Sequence, residues 1–404
     1  KNNTLLSSGN FSPSFDVMEN NRMVLTTTQQ DLTTTASTYV FLMWISESCT
    51  GDIANCTNSD NQFKYVGKSF SFNIKLETAT KTKKNLTRKT SASGTITTLY
   101  NNATKTPVTN NSITYQYDTK NSLMKDVGGN IRYYGASPNN YIYFNCSDYS
   151  NQSSSTCEAW RIIGVFDGRI KLIRGSQIGS YSWDNKNTST GAESNHGKND
   201  WTDARLMKLL NPSYESETTG GSLYYNAKSG NCYAGQNNAT TTCNFTSTGI
   251  KNDTTRNLIS NTTYYLGGWN STSVYPNQIY EYERGTTVYS ERPTTWTGKI
   301  ALAYPSDYGY ATDLGKCSQT LYNYDDSICA SNNWMKSILA PNYGWLLTTS
   351  SSDSYSTWPV CPRGFVSRGI SYSTYGIVPV LSLSSELSIK AGTGSSSAPY
   401  QLSV

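Results

Sequence analysis

One stretch, residues 160–174 (WRIIGVFDGRIKLIR), constrains the fold more than any other. Two apolar runs flank Asp167-Gly168, and Asp-Gly is a strong two-residue hairpin signal because both turn residues take positive φ. Simple alternation places Trp160, Ile162 and Phe166 on one face of the first strand and Ile163 and Val165 on the other. A strand apolar on both faces belongs in the interior. The second strand sets Ile170 and Leu172 on one face against Arg169 and Lys171 on the other, which predicts a half-solvated strand. This hairpin is the expected folding centre of a large C-terminal module.

The remaining residues say where such a module works. A chain of 404 residues suggests two or three domains. Charged residues make up 15% of it, against a usual quarter or so, and Asn, Ser, Thr, Gly and Tyr take their place. A surface that is polar but nearly uncharged suits a secreted or cell-surface β-rich protein. The net charge of +5 comes without a Lys/Arg stripe, and residues 81–89 (KTKKNLTRK) read as a solvated linker, so no nucleic-acid partner is expected. The longest apolar run, residues 39–45 (YVFLMWI), is far too short to span a bilayer. The start at Lys1 suggests a processed mature form.

Eight of the nine cysteines fall into close pairs, Cys49 with Cys56, Cys146 with Cys157, Cys232 with Cys243 and Cys317 with Cys329, enclosing 6, 10, 10 and 11 residues. Each pair brackets a Ser/Asn/Thr/Asp-rich insert, the pattern of a disulfide-closed surface loop in an oxidising compartment. Four local disulfides are therefore expected. No CxxC occurs, and the single histidine, His196, leaves little for a zinc site. Cys361 is left over, to be buried and free or joined to another subunit.

Read along its length, the chain divides into three. Residues 1–80 look like part of a β-sandwich, with strands at 23–27, 37–45 and 69–78; the last alternates, with Phe70, Phe72, Ile74 and Leu76 on one face. Only four or five strands are legible there, whereas a sandwich needs about seven, so the missing strands come from the next segment or from another polypeptide. Residues 81–119 read as a connector or small β extension with weak strands at 94–100 and 112–117. Residues 120–404 form the α+β module, with helices expected at 201–210 and 253–265 and strands at 298–304, 344–348, 364–368 and 376–383, where Pro379 implies an edge or a bulge. The fold class is therefore a β-rich α+β protein with disulfide-tied loops.

The blocks NIRYYGASPNNYIYFNC, EAWRIIGVFDGRIKLIR, WTGKIALAYPSDYGYATD, GWLLTTSSS and YGIVPVLSLSSEL, in this order over about residues 121–403, resemble an uncharacterised module (the DUF6273 type) of secreted low-GC bacterial proteins. The succession GWLLT, GFVSRG, GIVPVLSL is also similar to the closing strands of the superfold of C-type lectins and formylglycine-generating enzymes. STYVFLMWISES and YVGKSFSFNIKLE resemble the final strands of TasA/camelysin-like sandwiches. That likeness implies extracellular fibres in which an N-terminal strand of one subunit completes its neighbour's sheet. The lectin likeness implies calcium held by short acidic motifs ending in Trp-Asn-Asp; Trp183-Asp184-Asn185 and Asn199-Asp200-Trp201 come nearest, though neither sits at the matching late strand. Formylglycine-generating enzymes use a cysteine pair, whereas Cys361 sits at a late position without a second unpaired cysteine, so that activity is not carried over.

No catalytic constellation is legible. His196, in SNHGKND, reads as an exposed loop residue, and Glu281/Glu283 and Asp325/Asp326 as solvated carboxylates. No catalytic residue, metal ligand or cofactor is expected beyond the calcium the lectin likeness implies. The leading expectation is a structural subunit of a bacterial surface filament, joined head to tail, with Leu5, Phe11, Phe15 and Val17 of a donated N-terminal strand filling a neighbour's groove. The alternative is a lectin-like adhesin recognising glycans or a host surface protein, with Tyr308, Tyr310, Trp345 and Trp358 as exposed rings for stacking on sugars.

Overall fold

The computed structural model describes residues 90–185, 196–235 and 240–404, with a two-residue ladder that pairs Met18–Glu19 with Arg22–Met23. The chain separates into two compact units, Lys1–Lys83 and Lys84–Val404. In the first, the donor-strand positions Leu5, Phe11, Phe15 and Val17 lie outside the described residues, as do the strands expected at 37–45 and 69–78.

The second unit begins at Lys84, well before the module's expected start at 120, because residues read as a connector belong to its core. The weak strand expected at 94–100 is part of a helix, α1 (Ala92–Asn102). Its Thr-rich sequence favours strand, but the Ser91 hydroxyl accepts a hydrogen bond from the Gly94 amide at 3.0 Å and caps the first turn. Ala92, Ile96 and Tyr100 then form a four-residue-spaced stripe buried in the core. Packing overrides local preference here.

Two antiparallel-rich sheets follow. In chain order their strands are β1 Thr106–Asn110, β2 Ile113–Asp118, β3 Leu123–Lys125, β4 Ile131–Tyr133, β5 Tyr141–Phe144, β6 Glu158–Phe166, β7 Arg169–Arg174, β8 Ser180–Ser182, β9 Ile300–Ala301, β10 Gly344–Thr349, β11 Ser356–Val360, β12 Gly369–Ile370, β13 Thr374–Gly376 and β14 Val380–Ser382. The large sheet runs β9-β14-β7-β6-β4-β3-β2-β1, with β5 also pairing the first half of β6. The smaller runs β8-β13-β10-β11-β12, with β10 and β13 parallel.

The β6/β7 hairpin forms at the centre of the large sheet, with Asp167 and Gly168 at φ 48° and 72° as a two-residue turn requires. The facing differs from simple alternation. Ile162 pairs Leu172 and Gly164 pairs Lys171, so Ile163 is the extra residue of a β-bulge. The bulge sends Trp160, Ile162 and Val165 into one hydrophobic cluster and Ile163 and Phe166 towards the other, exchanging the faces expected for Val165 and Phe166. Gly164 lies so close to β4 that a Cβ there would stand 2.1 Å from the Ile131 carbonyl oxygen. Nor is β7 half-solvated: Lys171 is buried, because the opposite face is covered by a second layer.

That layer takes Ile279, Tyr308 and Ile338 from helices and Leu346 and Trp358 from the smaller sheet, whereas the helical Leu206, Leu210 and Leu258 pack on the other face, with Ile170 and Leu172. α2 (Arg205–Leu210) and α3 (Asp253–Leu258) fall within the two expected helices, though α3 is capped by the Asn252 side chain and stops where Thr262–Tyr265 becomes a strand. α4 (Pro276–Glu283) and α5 (Pro305–Tyr310) were not anticipated; each opens on a proline in its first turn, where the missing N–H costs nothing. Short α6 (Ser327–Ser331) and α7 (Lys336–Leu339) complete the set among the described residues. Pro379 precedes β14, an interior strand, so it removes no ladder bond. Residues 364–368 form a loop that touches β11 through a single Val360–Val366 bridge.

Three of the four expected disulfides, Cys146–Cys157, Cys232–Cys243 and Cys317–Cys329, are formed, each closing a local loop. Loops of this size contribute about 2–3 kcal/mol each in a chain-entropy account. The expected bridge between Cys49 and Cys56 is not among them. Both Cys49 and Cys56 lie outside the described residues, so that pairing stays an expectation from spacing. Cys361 is a free, buried thiol that donates to the Ser367 hydroxyl at 3.1 Å. No helix among the described residues is long and apolar enough to cross a membrane.

Candidate functional site

Two concentrations of polar chemistry stand out in the second unit, one sealed beneath the large sheet and one open at its end. The sealed one joins β4, β7, α4 and α5. Arg132 bonds Asp126 through Nε and Asp307 through Nη1 at 2.7 Å, and Lys171 reaches the other oxygen of Asp307. Asp307 also accepts from the Tyr304 amide at 3.0 Å, tying the cluster to the start of α5. Burial alone would raise the Asp307 carboxyl, but Lys171 and Arg132 outweigh it and hold the group down at about 2. Glu283, fully buried, accepts from the Ser306 amide at 2.9 Å and its hydroxyl at 2.5 Å; loss of solvent pushes its carboxyl up to about 7, against the pull of Arg284. Apart from Arg132 Nη2, which is buried without a hydrogen-bond partner, these groups bond to one another and to backbone, the arrangement of a structural ion network. Sequence reasoning placed Lys171 in solvent and Glu283 on a solvated loop. The available signal was a basic residue inside an otherwise apolar hairpin.

The open concentration is a groove of about 380 Å³ where β5, the start of β6, the end of β7 and α7 meet. Glu158 and Arg174 form one flank, paired at 2.9 Å; Glu158 further accepts from Trp160 Nε1 at 3.1 Å and Asn145 Nδ2 at 3.1 Å. Arg174 spends its Nη1 on the Ser176 hydroxyl at 2.8 Å and carbonyl at 3.0 Å. The other flank is Arg161, cross-strand from Tyr141 and only 6% exposed. Its guanidinium lies 3.8 Å from the Tyr141 ring centre and 4.8 Å from that of Trp334, and it donates to the Asn140 side-chain oxygen and the Pro138 carbonyl. No carboxylate among the described residues pairs with it. Burial lowers the Arg161 group to about 10, the Tyr141 side chain opposing this, so it stays charged at neutral pH. Sequence reasoning did not single out Arg161, although it too is a charge within a strand read as apolar on both faces.

The aromatics expected to face a ligand do not. Tyr308, Tyr310, Trp345 and Trp358 are all completely buried, which corrects the expectation of exposed stacking rings. The Tyr308 hydroxyl donates to the Gly364 carbonyl at 2.6 Å and Trp345 Nε1 to the Tyr181 carbonyl at 3.1 Å, so these two fill the core with their polar tips satisfied, whereas Tyr310 Oη and Trp358 Nε1 are buried without a hydrogen-bond partner. The two acidic motifs adjoin each other, with Trp183 and Trp201 rings 5.3 Å apart. Asp184 accepts from the Lys198 amide at 2.9 Å, and Asn199 Nδ2 donates to the carbonyls of Ser350, Asp353 and Ser356, so both motifs brace loops. His196 is half-buried rather than exposed, stacked on Tyr355 at 4.6 Å and flanked by Tyr372 at 5.9 Å. Of the carboxylate pairs, Glu283 belongs to the sealed network, Asp325 pairs with Arg363 at 3.0 Å, and Asp326 caps α6.

Comparison of the chain with models of known families, with curated proteins and with solved structures finds no match to any of them.

Proposed function

We propose that this chain is an extracellular, non-catalytic structural protein, a subunit of a bacterial surface filament or matrix assembled head to tail by strand donation. The observation that carries the reading is the strand deficit of residues 1–80: four or five legible strands where a closed sandwich needs about seven. A sheet left open in that way is completed by main-chain pairing with another copy, and a contact that does not close on itself grows a fibre. Residues 1–28, with Leu5, Phe11, Phe15 and Val17, are the donor. On this reading the first unit belongs with TasA/camelysin-like sandwiches and the second with DUF6273-type modules of the C-type-lectin superfold. The low charge and the local disulfides support an oxidising, extracellular setting.

Electron microscopy tests the assembly step. The full chain is expected to form regular filaments under non-denaturing conditions, and the same chain lacking residues 1–23 single particles. Filaments that survive the deletion sink strand donation by this segment.

A second reading, a binding module displayed on the surface, is favoured by the groove beside Arg161. The two are compatible, since a fibre can carry a binding head. Its test is retention of the full chain on immobilised glycans or host surface proteins.

A further inference from the structure

Arg161 presents an unresolved charge balance. A guanidinium this deeply buried gives up much of its hydration, and the groups around it return only part of that: two neutral acceptors and two aromatic faces. The other buried cations of the large sheet, Arg132, Lys171 and Arg174, each have a carboxylate. Arg161 has none among the described residues, yet it lines a groove large enough for a small ligand. The stacking fixes the plane of the guanidinium, so its fork is set before anything binds.

The rest of the groove says which anion fits. Glu158 stands on the opposite flank and repels a dianion such as phosphate, which favours a single negative charge. Ser176 and Ser337 supply hydroxyls and the Glu158–Arg174 pair supplies both acceptor and donor, a set matched to a ring bearing several hydroxyls. Tyr141 and Ile338 supply apolar surface for the ring's carbon face.

We propose that this groove is a binding site for an acidic sugar, with the sugar carboxylate paired to Arg161 and the ring hydroxyls taken up by the Glu158–Arg174 flank. The inference rests on the binding-module reading and gives that module a ligand class.

Titration of the full chain with sodium D-glucuronate and sodium N-acetylneuraminate, followed by saturation-transfer NMR, tests it. At least one of the two acids is expected to bind, and its methyl ester to bind at least about tenfold more weakly, as loss of a charge-assisted hydrogen-bonded pair implies. Arg161→Met is expected to weaken the acid by a similar factor. Arg161→Lys, which keeps the charge and relieves any folding defect of the first variant, is expected to retain only part of the affinity because it lacks the fork. Equal binding of acid and ester, or preference for inorganic phosphate over both acids, overturns the proposal. If immobilised neutral glycans retain the chain while neither acid binds, the binding module stands and the acidic-sugar site falls. If nothing is retained and neither acid binds, both fall.

Discussion

Glu283 has exchanged water for two bonds from Ser306, and that exchange leaves it sensitive to ordinary pH. Its carboxyl is raised to about 7 in the folded chain, chiefly by burial, from an ordinary 4.5. The folded state therefore holds a proton that the unfolded state has released between those values. Its stabilising effect is fully present below about pH 4.5 and is lost as pH rises through about 7. Unfolding free energy is expected to fall by about 1–3 kcal/mol between pH 5 and pH 8 from this group. Glu283→Gln, which mimics the protonated form, is expected to flatten that interval. Urea titrations of both proteins at pH 5 and pH 8 check it; an unchanged pH slope in the variant refutes the assignment. Asp307 does not contribute within this window, because its carboxyl is held at about 2 and titrates well below it. None of this was legible in the sequence, where Glu283 and Asp307 are two carboxylates in Tyr-rich segments. Their environment depends on β4, β7 and two helices that meet only in three dimensions.

Among the elements, the β6/β7 hairpin shows how far pattern reading reaches. Its turn, the two apolar faces of its first strand and its central position follow from residues 160–174, whereas the burial of its second strand does not. The bulge at Ile163 does not, since a period-two pattern carries no mark of an inserted residue. Gly164 is the nearest sequence cue, and its requirement comes from the Ile131 carbonyl across the sheet. Gly164→Ala is therefore expected to destabilise by about 1–3 kcal/mol, the usual cost of overpacking a tight contact. The measurement is the midpoint of chemical denaturation; a shift within about 0.3 kcal/mol means that the β4/β6 contact is looser than described. The helices divide by the same logic. α2 and α3 announced themselves through capping side chains or an apolar stripe, whereas α4 and α5 begin with Tyr-Pro, which reads as a turn until the residues behind it are seen to coil.

Taken whole, the second unit has its true start near Lys84 rather than at residue 120. A fragment of residues 84–404 is expected to fold as a cooperative, protease-resistant body, whereas 120–404 lacks α1, β1 and β2 and exposes the apolar surface they cover. Limited proteolysis of the two fragments decides the boundary: equal resistance means that residues 84–119 are dispensable. The β-rich character and three of the four cysteine pairs were legible because composition and spacing are local properties; the fourth, Cys49 with Cys56, lies outside the described residues. The boundary was not legible, because α1 is built from residues whose intrinsic preference points elsewhere. The ninth cysteine carries a consequence for how such a body matures. Thiol–disulfide exchange needs a thiolate with access to a disulfide. Burial raises the Cys361 thiol and closes off that access, so the docking of β11 withdraws the free thiol of the described residues from the three local bridges it could shuffle. The native pairing is then kept by kinetics as well as by loop geometry. Iodoacetamide is expected to label Cys361 slowly in the native chain and rapidly in denaturant; fast labelling of the native chain shows that the bridges stay open to exchange.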